Sequence, residues 1–255
     1  MKKIIRKTML YKTGVEYGDY TMNHVLGCSH GCNYPCYAFA MKKRFGQIKS
    51  YEDWCKPALV ENTLELLDVE IPKLKDSIIS VQLCFTTDPF MYGENYTEVG
   101  QMSIASIKKL NEAEIKCTVL TKGILPIELA ELSDKNEYGI TVVSLSSEFK
   151  KKMEPGAAPV GDRIASLKAL HDMGCKTWVS IEPYPTPNIQ FQDLREILDK
   201  VSFTDHIVFG RMNYNKLVSE YVDFREFYNE KAKEIKAYCR ERNISCYIKN
   251  RTITT

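Results

Sequence analysis

Three cysteines, Cys28, Cys32 and Cys36, stand at intervals of four in the run Gly27-Cys28-Ser29-His30-Gly31-Cys32-Asn33-Tyr34-Pro35-Cys36-Tyr37-Ala38. That interval would stack them on one helix face, but Gly27, Gly31 and Pro35 oppose a helix, so the run reads as a loop. Its glycines can take positive φ and turn backbone N–H groups inward, towards whatever the sulfurs hold. Three thiolates from one tight loop suit an iron–sulfur cube whose fourth iron has no protein ligand, and an open iron lets a substrate or cofactor coordinate directly. The competing readings are a zinc site completed by His24 or His30, a nucleophilic thiol, and simple packing. No base stands ready for a nucleophile, since His171 falls in a helical segment and His206 at a strand start. Packing is a poor reason to crowd cysteines into a glycine-rich loop.

Strands and helices alternate behind this loop. Strand-like runs are Met22–Leu26, Ile78–Phe85, Lys116–Thr121, Ile140–Leu145, Lys176–Ile181 and His206–Phe209, with Ser245–Lys249 as a short final edge. Between them lie helical patterns over 101–111, 127–132, the segment after Pro159 (Ile164, Leu167 and Leu170 on one face, Gly174 as stop) and 191–201. A last helix opens at Asp223, with Glu226 as a capping-box partner. The alternation predicts an α/β fold with a parallel sheet and outer helices, either a partial barrel or an open doubly wound sheet. In both, ligands sit at the C-terminal ends of the strands. The first 20 residues read as an arm or hairpin, and residues 21–255 as one domain.

Composition narrows the class. The chain has 255 residues, 44% hydrophobic and 27% charged, enough to bury a core and too apolar for disorder. No apolar run could cross a bilayer and no signal-peptide core follows Met1, so a cytoplasmic, non-membrane protein is expected. Nine cysteines in a chain of this size argue for reduced thiols and against a disulfide framework. A net charge of +2 does not demand nucleic acid as a partner. Lys42-Lys43-Arg44 and Lys150-Lys151-Lys152 could touch phosphates, and fifteen tyrosines permit base stacking, but solvated helix faces explain such runs as well.

The cysteine loop resembles that of the radical S-adenosylmethionine superfamily, within it most closely the spore photoproduct lyase-like branch. Further matches follow in order: Thr86-Thr87-Asp88-Pro89-Phe90, Leu120-Thr121-Lys122, Ser144-Leu145-Ser146, Glu154-Pro155, Arg163, Leu167, Leu170, Gly174 and Ile181-Glu182-Pro183. Residues 38–64, with Met41-Lys42-Lys43-Arg44-Phe45 and Trp54, also resemble paired radical enzymes of bacterial mobile elements. The resemblance covers about residues 20–215. It departs at one place: Asn33-Tyr34-Pro35 separates the second and third cysteines where the family usually has two residues, so Pro35 reads as an insertion.

The resemblance implies a partial (β/α)6 barrel. It implies a [4Fe–4S] cluster on Cys28, Cys32 and Cys36, with S-adenosylmethionine on the open iron. It also implies reductive cleavage to a 5′-deoxyadenosyl radical that abstracts hydrogen from a substrate, lyase-like in type. Residue by residue, Tyr34 would cover the adenine, and Thr86, Thr87 and Asp88 would meet the methionyl ammonium. Lys122 would meet the carboxylate, Ser144 and Ser146 the carboxylate or ribose, and Glu182 the ribose or sulfonium. Cys84 lies close to the place, near the end of the second strand, where the lyase has a cysteine that returns hydrogen to the product. For all of these, caps, turns and buried packing are the plainer alternatives. A flavodoxin- or ferredoxin-like electron donor is implied, a second radical enzyme is a candidate partner, and a nucleic-acid substrate is allowed but not favoured. A zinc-stabilised α/β binding module without catalysis is the rival reading.

Overall fold

The computed structural model describes residues 1–254. In chain order the first half runs β1 (Lys2–Ile4), β2 (Leu10–Lys12), β3 (Tyr20–Met22), β4 (Val25–Leu26), α1 (Tyr37–Arg44), α2 (Tyr51–Trp54), β5 (Ala58–Val60), α3 (Thr63–Leu74), β6 (Ser80–Leu83) and α4 (Thr97–Glu112). The second half runs β7 (Lys116–Thr121), β8 (Glu137–Thr141), α5 (Ser147–Met153), α6 (Val160–Asp172), β9 (Lys176–Tyr184), α7 (Leu194–Lys200), β10 (His206–Arg211), α8 (Lys216–Glu220), α9 (Phe224–Arg242) and β11 (Ser245–Ile248).

The main sheet has eight strands in the order β11-β10-β9-β8-β7-β6-β3-β2. Every neighbouring pair from β11 to β3 is parallel, and only β2 runs antiparallel, against β3. Parallel strands need crossovers, and the helices that supply them bury one stripe each against the sheet. In α4 that stripe is Val99, Ser103, Ile107 and Leu110; in α9 it is Tyr228, Ala232, Ile235 and Tyr238. Each such large apolar side chain taken from water contributes roughly 1.5–3 kcal/mol. This is the expected α/β partial barrel with outer helices. The final run 245–248 is the expected edge strand, parallel to β10. No helix among the described residues is long and apolar enough to cross a membrane.

Four expectations need correction. Met22–Leu26 is not one strand: β3 ends at Met22 in the main sheet, and β4 belongs to a separate three-stranded sheet in the order β1-β5-β4. The run at 140–145 is displaced, since β8 spans Glu137–Thr141 and Val142 and Val143 are buried beyond its end. The segment near 127–132 is a 3₁₀ turn, Ile127–Glu131, and not an α-helix. Asp223 does not cap α9 with its side chain; it sits at φ +60°, while Asp193 caps α7 by accepting from Arg195 N. β2, β3 and the segment between them place the N-terminal residues within the main sheet.

Candidate active site

The cysteine loop lies between β4 and α1, and its backbone is fixed from two sides. Cys28 N donates to Trp54 O at 2.9 Å, and the Tyr51 hydroxyl donates to Cys32 O. Asn33 N donates to Met153 O at 2.8 Å, and Gly156 N to His30 O at 2.9 Å. Gly27 takes φ +92°, and a Cβ there would come within 2.6 Å of Trp54 O, so a side chain at this turn is excluded twice over.

The three cysteines, all free thiols, face a cavity of about 480 Å³ at the C-terminal ends of the strands. Cys84, Thr86, Thr87, Asp88, Lys122, Tyr34 and Glu182 line the same space, so ten of the twelve residues singled out in the sequence come together. Ser144 and Ser146 do not. Because β8 stops at Thr141, they share no strand face: Ser144 Oγ accepts from Ser146 N, and Ser146 Oγ caps α5 by accepting from Phe149 N. Thr141 and Ser180, from β8 and β9, line the cavity instead.

Several lining side chains are engaged with the protein itself. Asp88 Oδ1 accepts from Phe90 N and from the Thr121 hydroxyl at 2.6 Å, and Oδ2 from Lys122 N at 2.9 Å. Thr86 donates through N and Oγ1 to Asn23 Oδ1, and the Thr87 hydroxyl donates to Gly27 O. The turn-forming role expected of Thr-Thr-Asp-Pro is therefore real, and it joins the end of β6 to the cysteine loop.

Two ionic groups flank the cavity. On one side Glu154 accepts from Tyr34 OH at 2.6 Å and from Arg163 Nη2 at 2.8 Å, with Lys122 Nζ at 3.6 Å and lying 5.0 Å from the Tyr34 ring centroid. Burial works to raise the Glu154 carboxyl, yet Lys122, Arg163 and Tyr34 together hold it below the ordinary carboxylate range. On the other side Lys249 Nζ lies 2.9 Å from Glu182 and 3.0 Å from Glu16, and 4.9 Å from the centroid of the Tyr17 ring. Burial pushes Glu182 up despite the Lys249 cation beside it.

Sequence reasoning missed Glu16, Tyr17, Arg211 and Lys249, all of which line the cavity. A lysine after a short edge strand carries no signal of its own. It reaches the site because β11 pairs with β10 in a register that sets Ile248 beside Phe209 and directs Lys249 N to Phe209 O at 2.8 Å. Also unforeseen was the contact of Cys84 with His24, whose Nδ1 lies 3.4 Å from Cys84 Sγ.

The loop fits an iron–sulfur cube. Three free thiols face one space, and the buried Ser29 Oγ and His30 Nε2 beside them have no hydrogen-bond partner among the described residues. Burial, Asp88 and the neighbouring sulfurs push the Cys28 thiol well up, and burial likewise raises Cys32, so cationic iron is what would let these sulfurs ionise. Among the described residues no three Cys, His, Asp or Glu side chains converge as the shell of a single ion does. Thiolates that each take a different corner of a cube need not converge in that way.

Comparison with known proteins agrees. An uncharacterised protein of Methanocaldococcus jannaschii is 27% identical over 184 residues, 71% of this chain and 66% of that one. One from Acidianus two-tailed virus is 24% identical over 198 residues, 74% of this chain and 64% of that one. The chain thus spans slightly less than two-thirds of the length of these curated relatives. Among solved structures, spore photoproduct lyase complexed with dinucleoside spore photoproduct superposes with a TM-score of 0.69 at 13% identity, over 96% of this chain and 80% of that one. Streptococcus suis SuiB bound to S-adenosylmethionine gives 0.52 at 17% identity, over 71% and 42%. At such identities the likeness is one of fold. The family model described as the radical SAM superfamily matches residues 22–201, which is most of the chain and contains the cysteine loop, and the chain therefore belongs to the radical S-adenosylmethionine superfamily, whose cofactors are a [4Fe–4S] cluster and S-adenosylmethionine.

Proposed function

We propose that the protein is a radical enzyme in which Cys28, Cys32 and Cys36 hold a [4Fe–4S] cluster and the adjoining cavity receives S-adenosylmethionine and substrate. The observation that carries this reading is the meeting of three free thiols with Cys84, Asp88, Lys122 and Glu182 around one cavity at the strand ends. The cluster and S-adenosylmethionine, when bound, supply one-electron cleavage to methionine and a 5′-deoxyadenosyl radical able to take hydrogen from a substrate.

The chain's own residues bind, orient and enclose. Asp88, fixed by Thr121 and Lys122 N, and the half-buried Lys122 ammonium offer opposite charges to an amino-acid moiety. Tyr34, pinned by Glu154, presents a ring wall. The Tyr37 and Phe85 rings, 5.5 Å apart, line the cavity together with Cys36 and Cys84. In this reading Cys84, which lines the cavity, returns hydrogen to a product radical. Its thiol is only 3% exposed, and burial keeps it protonated, the form that donates a hydrogen atom. The substrate, a redox partner of the flavodoxin or ferredoxin kind and a paired radical protein belong to this proposal.

The test is anaerobic reconstitution with iron and sulfide, followed by dithionite and S-adenosylmethionine. Iron-loaded protein should release 5′-deoxyadenosine, and the Cys28→Ala, Cys32→Ala, Cys36→Ala variant should bind no cluster and release none. Equal release from both proteins would refute the assignment.

A further inference from the structure

Cys84, the residue after β6, takes a left-handed conformation, φ +55°, which a non-glycine residue adopts only when its surroundings impose it. Cys84 N donates to Met22 O at 2.7 Å, and Thr87 N to Cys84 O at 3.0 Å. The residue lines the cavity, whereas His24 is wholly buried and does not. The Cys84 sulfur therefore stands between the cavity and the imidazole, 3.4 Å from Nδ1 and 3.9 Å from Nε2.

The far side of the ring fixes its proton. Nε2 lies 3.0 Å from Ser103 Oγ. The Ser103 hydroxyl has one proton and two carbonyls to receive it, Pro89 O at 2.6 Å and Val99 O at 3.1 Å. With that proton given to a carbonyl, the hydroxyl oxygen turns a lone pair to Nε2. The Ser103 oxygen is the nearer partner of Nε2 and the Cys84 sulfur the nearer partner of Nδ1, so the proton is assigned to Nε2. Burial, opposed by the Val99 hydrogen bond, pushes His24 down to about 4, so the ring is neutral and Nδ1 is a bare acceptor. Burial and Asp88 push the Cys84 thiol well up, so the sulfur keeps its hydrogen and Nδ1 is where it points.

We propose that His24 parks the Cys84 thiol hydrogen on its Nδ1 lone pair, on the far side of the sulfur from the cavity, until a product radical needs it. The inference rests on the radical reading above and makes His24 a positioning residue. Its physical sense lies in the weakness of a thiol S–H bond. A primary carbon radical that met an outward-facing thiol would form a C–H bond, break the S–H bond and leave the odd electron on sulfur, with no substrate changed. Turning the hydrogen inward withholds it from that side reaction. One neutral hydrogen bond is weak enough to be released by rotation about Cβ–Sγ.

Two measurements need no turnover. Long-range ¹⁵N–¹H spectra of the histidine-labelled full chain should show His24 as the Nε2–H tautomer with an unprotonated Nδ1; an Nδ1–H tautomer overturns the proposal without any variant having to fold. In the infrared, the S–H band lost in Cys84→Ser should lie at lower wavenumber than a free thiol. It should move up in His24→Phe and partly back in His24→Gln, whose amide oxygen can accept. An unmoved band in folded His24→Phe overturns it. A third experiment runs the holoenzyme with S-adenosylmethionine and dithionite in D₂O, without substrate. His24→Phe should raise deuterium in 5′-deoxyadenosine several-fold, and adding Cys84→Ala should remove the excess; no rise overturns the proposal. Absence of 5′-deoxyadenosine from the wild-type holoenzyme would instead sink the radical reading, with the tautomer and the band still reporting on His24.

Discussion

The two sides of the cavity are built from the same three residue types and behave differently. On one, Tyr34, Lys122 and Glu154 are joined by Arg163, and two cations answer one carboxylate. On the other, Tyr17, Lys249 and Glu182 are joined by Glu16, and one cation is shared by two carboxylates. Glu154 and Arg163 are 2% and 0% exposed, and Arg163 also donates to Ala158 O and Thr141 O. Glu182, Glu16 and Lys249 are each between 22% and 28% exposed at the side chain. The first group lies entirely within residues 22–201, the span that the superfamily model matches, whereas Glu16, Tyr17 and Lys249 lie outside it. The buried Glu154–Arg163 pair is a hydrogen-bonded framework behind the cavity wall, whereas the Glu182–Lys249–Glu16 group, which draws Glu16 and Lys249 from the two ends of the chain, remains partly open to water.

The largest effect should come from Arg163→Met. It leaves the buried Glu154 carboxylate with Lys122 as its one nearby cation and Tyr34 OH as its one side-chain hydrogen bond, and removing one partner of a buried pair costs about 3–5 kcal/mol. Chemical denaturation of the cluster-free chain checks this, and a loss no larger than that of Lys249→Met would erase the contrast. Lys249→Met should cost about 2 kcal/mol, since it removes charge-assisted bonds from groups that can still reach water. Gly210→Ala should cost about 1 kcal/mol or somewhat more, because its Cβ would come within 2.7 Å of Glu182 Cδ and press that carboxylate off Lys249.

The smallest effect is one of slope. Glu154 lies below its ordinary value in the folded chain, so its contribution is present above pH 4.5 and is lost as pH falls through the folded value. Glu182 lies above its ordinary 4.5, so the native state binds the extra proton and stability falls as pH rises from 4.5 through the folded value. Glu182→Gln should therefore gain on the wild type as pH rises from about 4 to about 7, and Glu154→Gln should lose ground. Melting temperatures across that range decide it, and parallel curves would show that the two carboxylates do not differ.

The legible parts of the molecule were those whose pattern is local. The buried strands β6, β7, β9 and β10 are apolar and β-branched enough to stand out, and the helices that cover them show period 3.6. The cysteine loop and the Thr86–Asp88 turn declared themselves by residue type. The strand at 140–145 misled because Val142, Val143 and Leu145 continue an apolar run that the sheet abandons; only Val142 N still pairs, with Ser180 O. The small sheet was illegible because β1, β4 and β5 are two or three residues long and carry no period. Lys249 and Glu16 were illegible for another reason: they meet only after the last strand has docked, more than two hundred residues after β2.

The cysteine loop holds its course through bonds to Trp54, Tyr51, Met153 and Gly156, none of which involves a sulfur atom. Maturation can therefore run in the order opposite to that of a zinc finger, which is shaped by its ion. On the proposed reading the polypeptide would finish folding first and receive its inorganic guest afterwards.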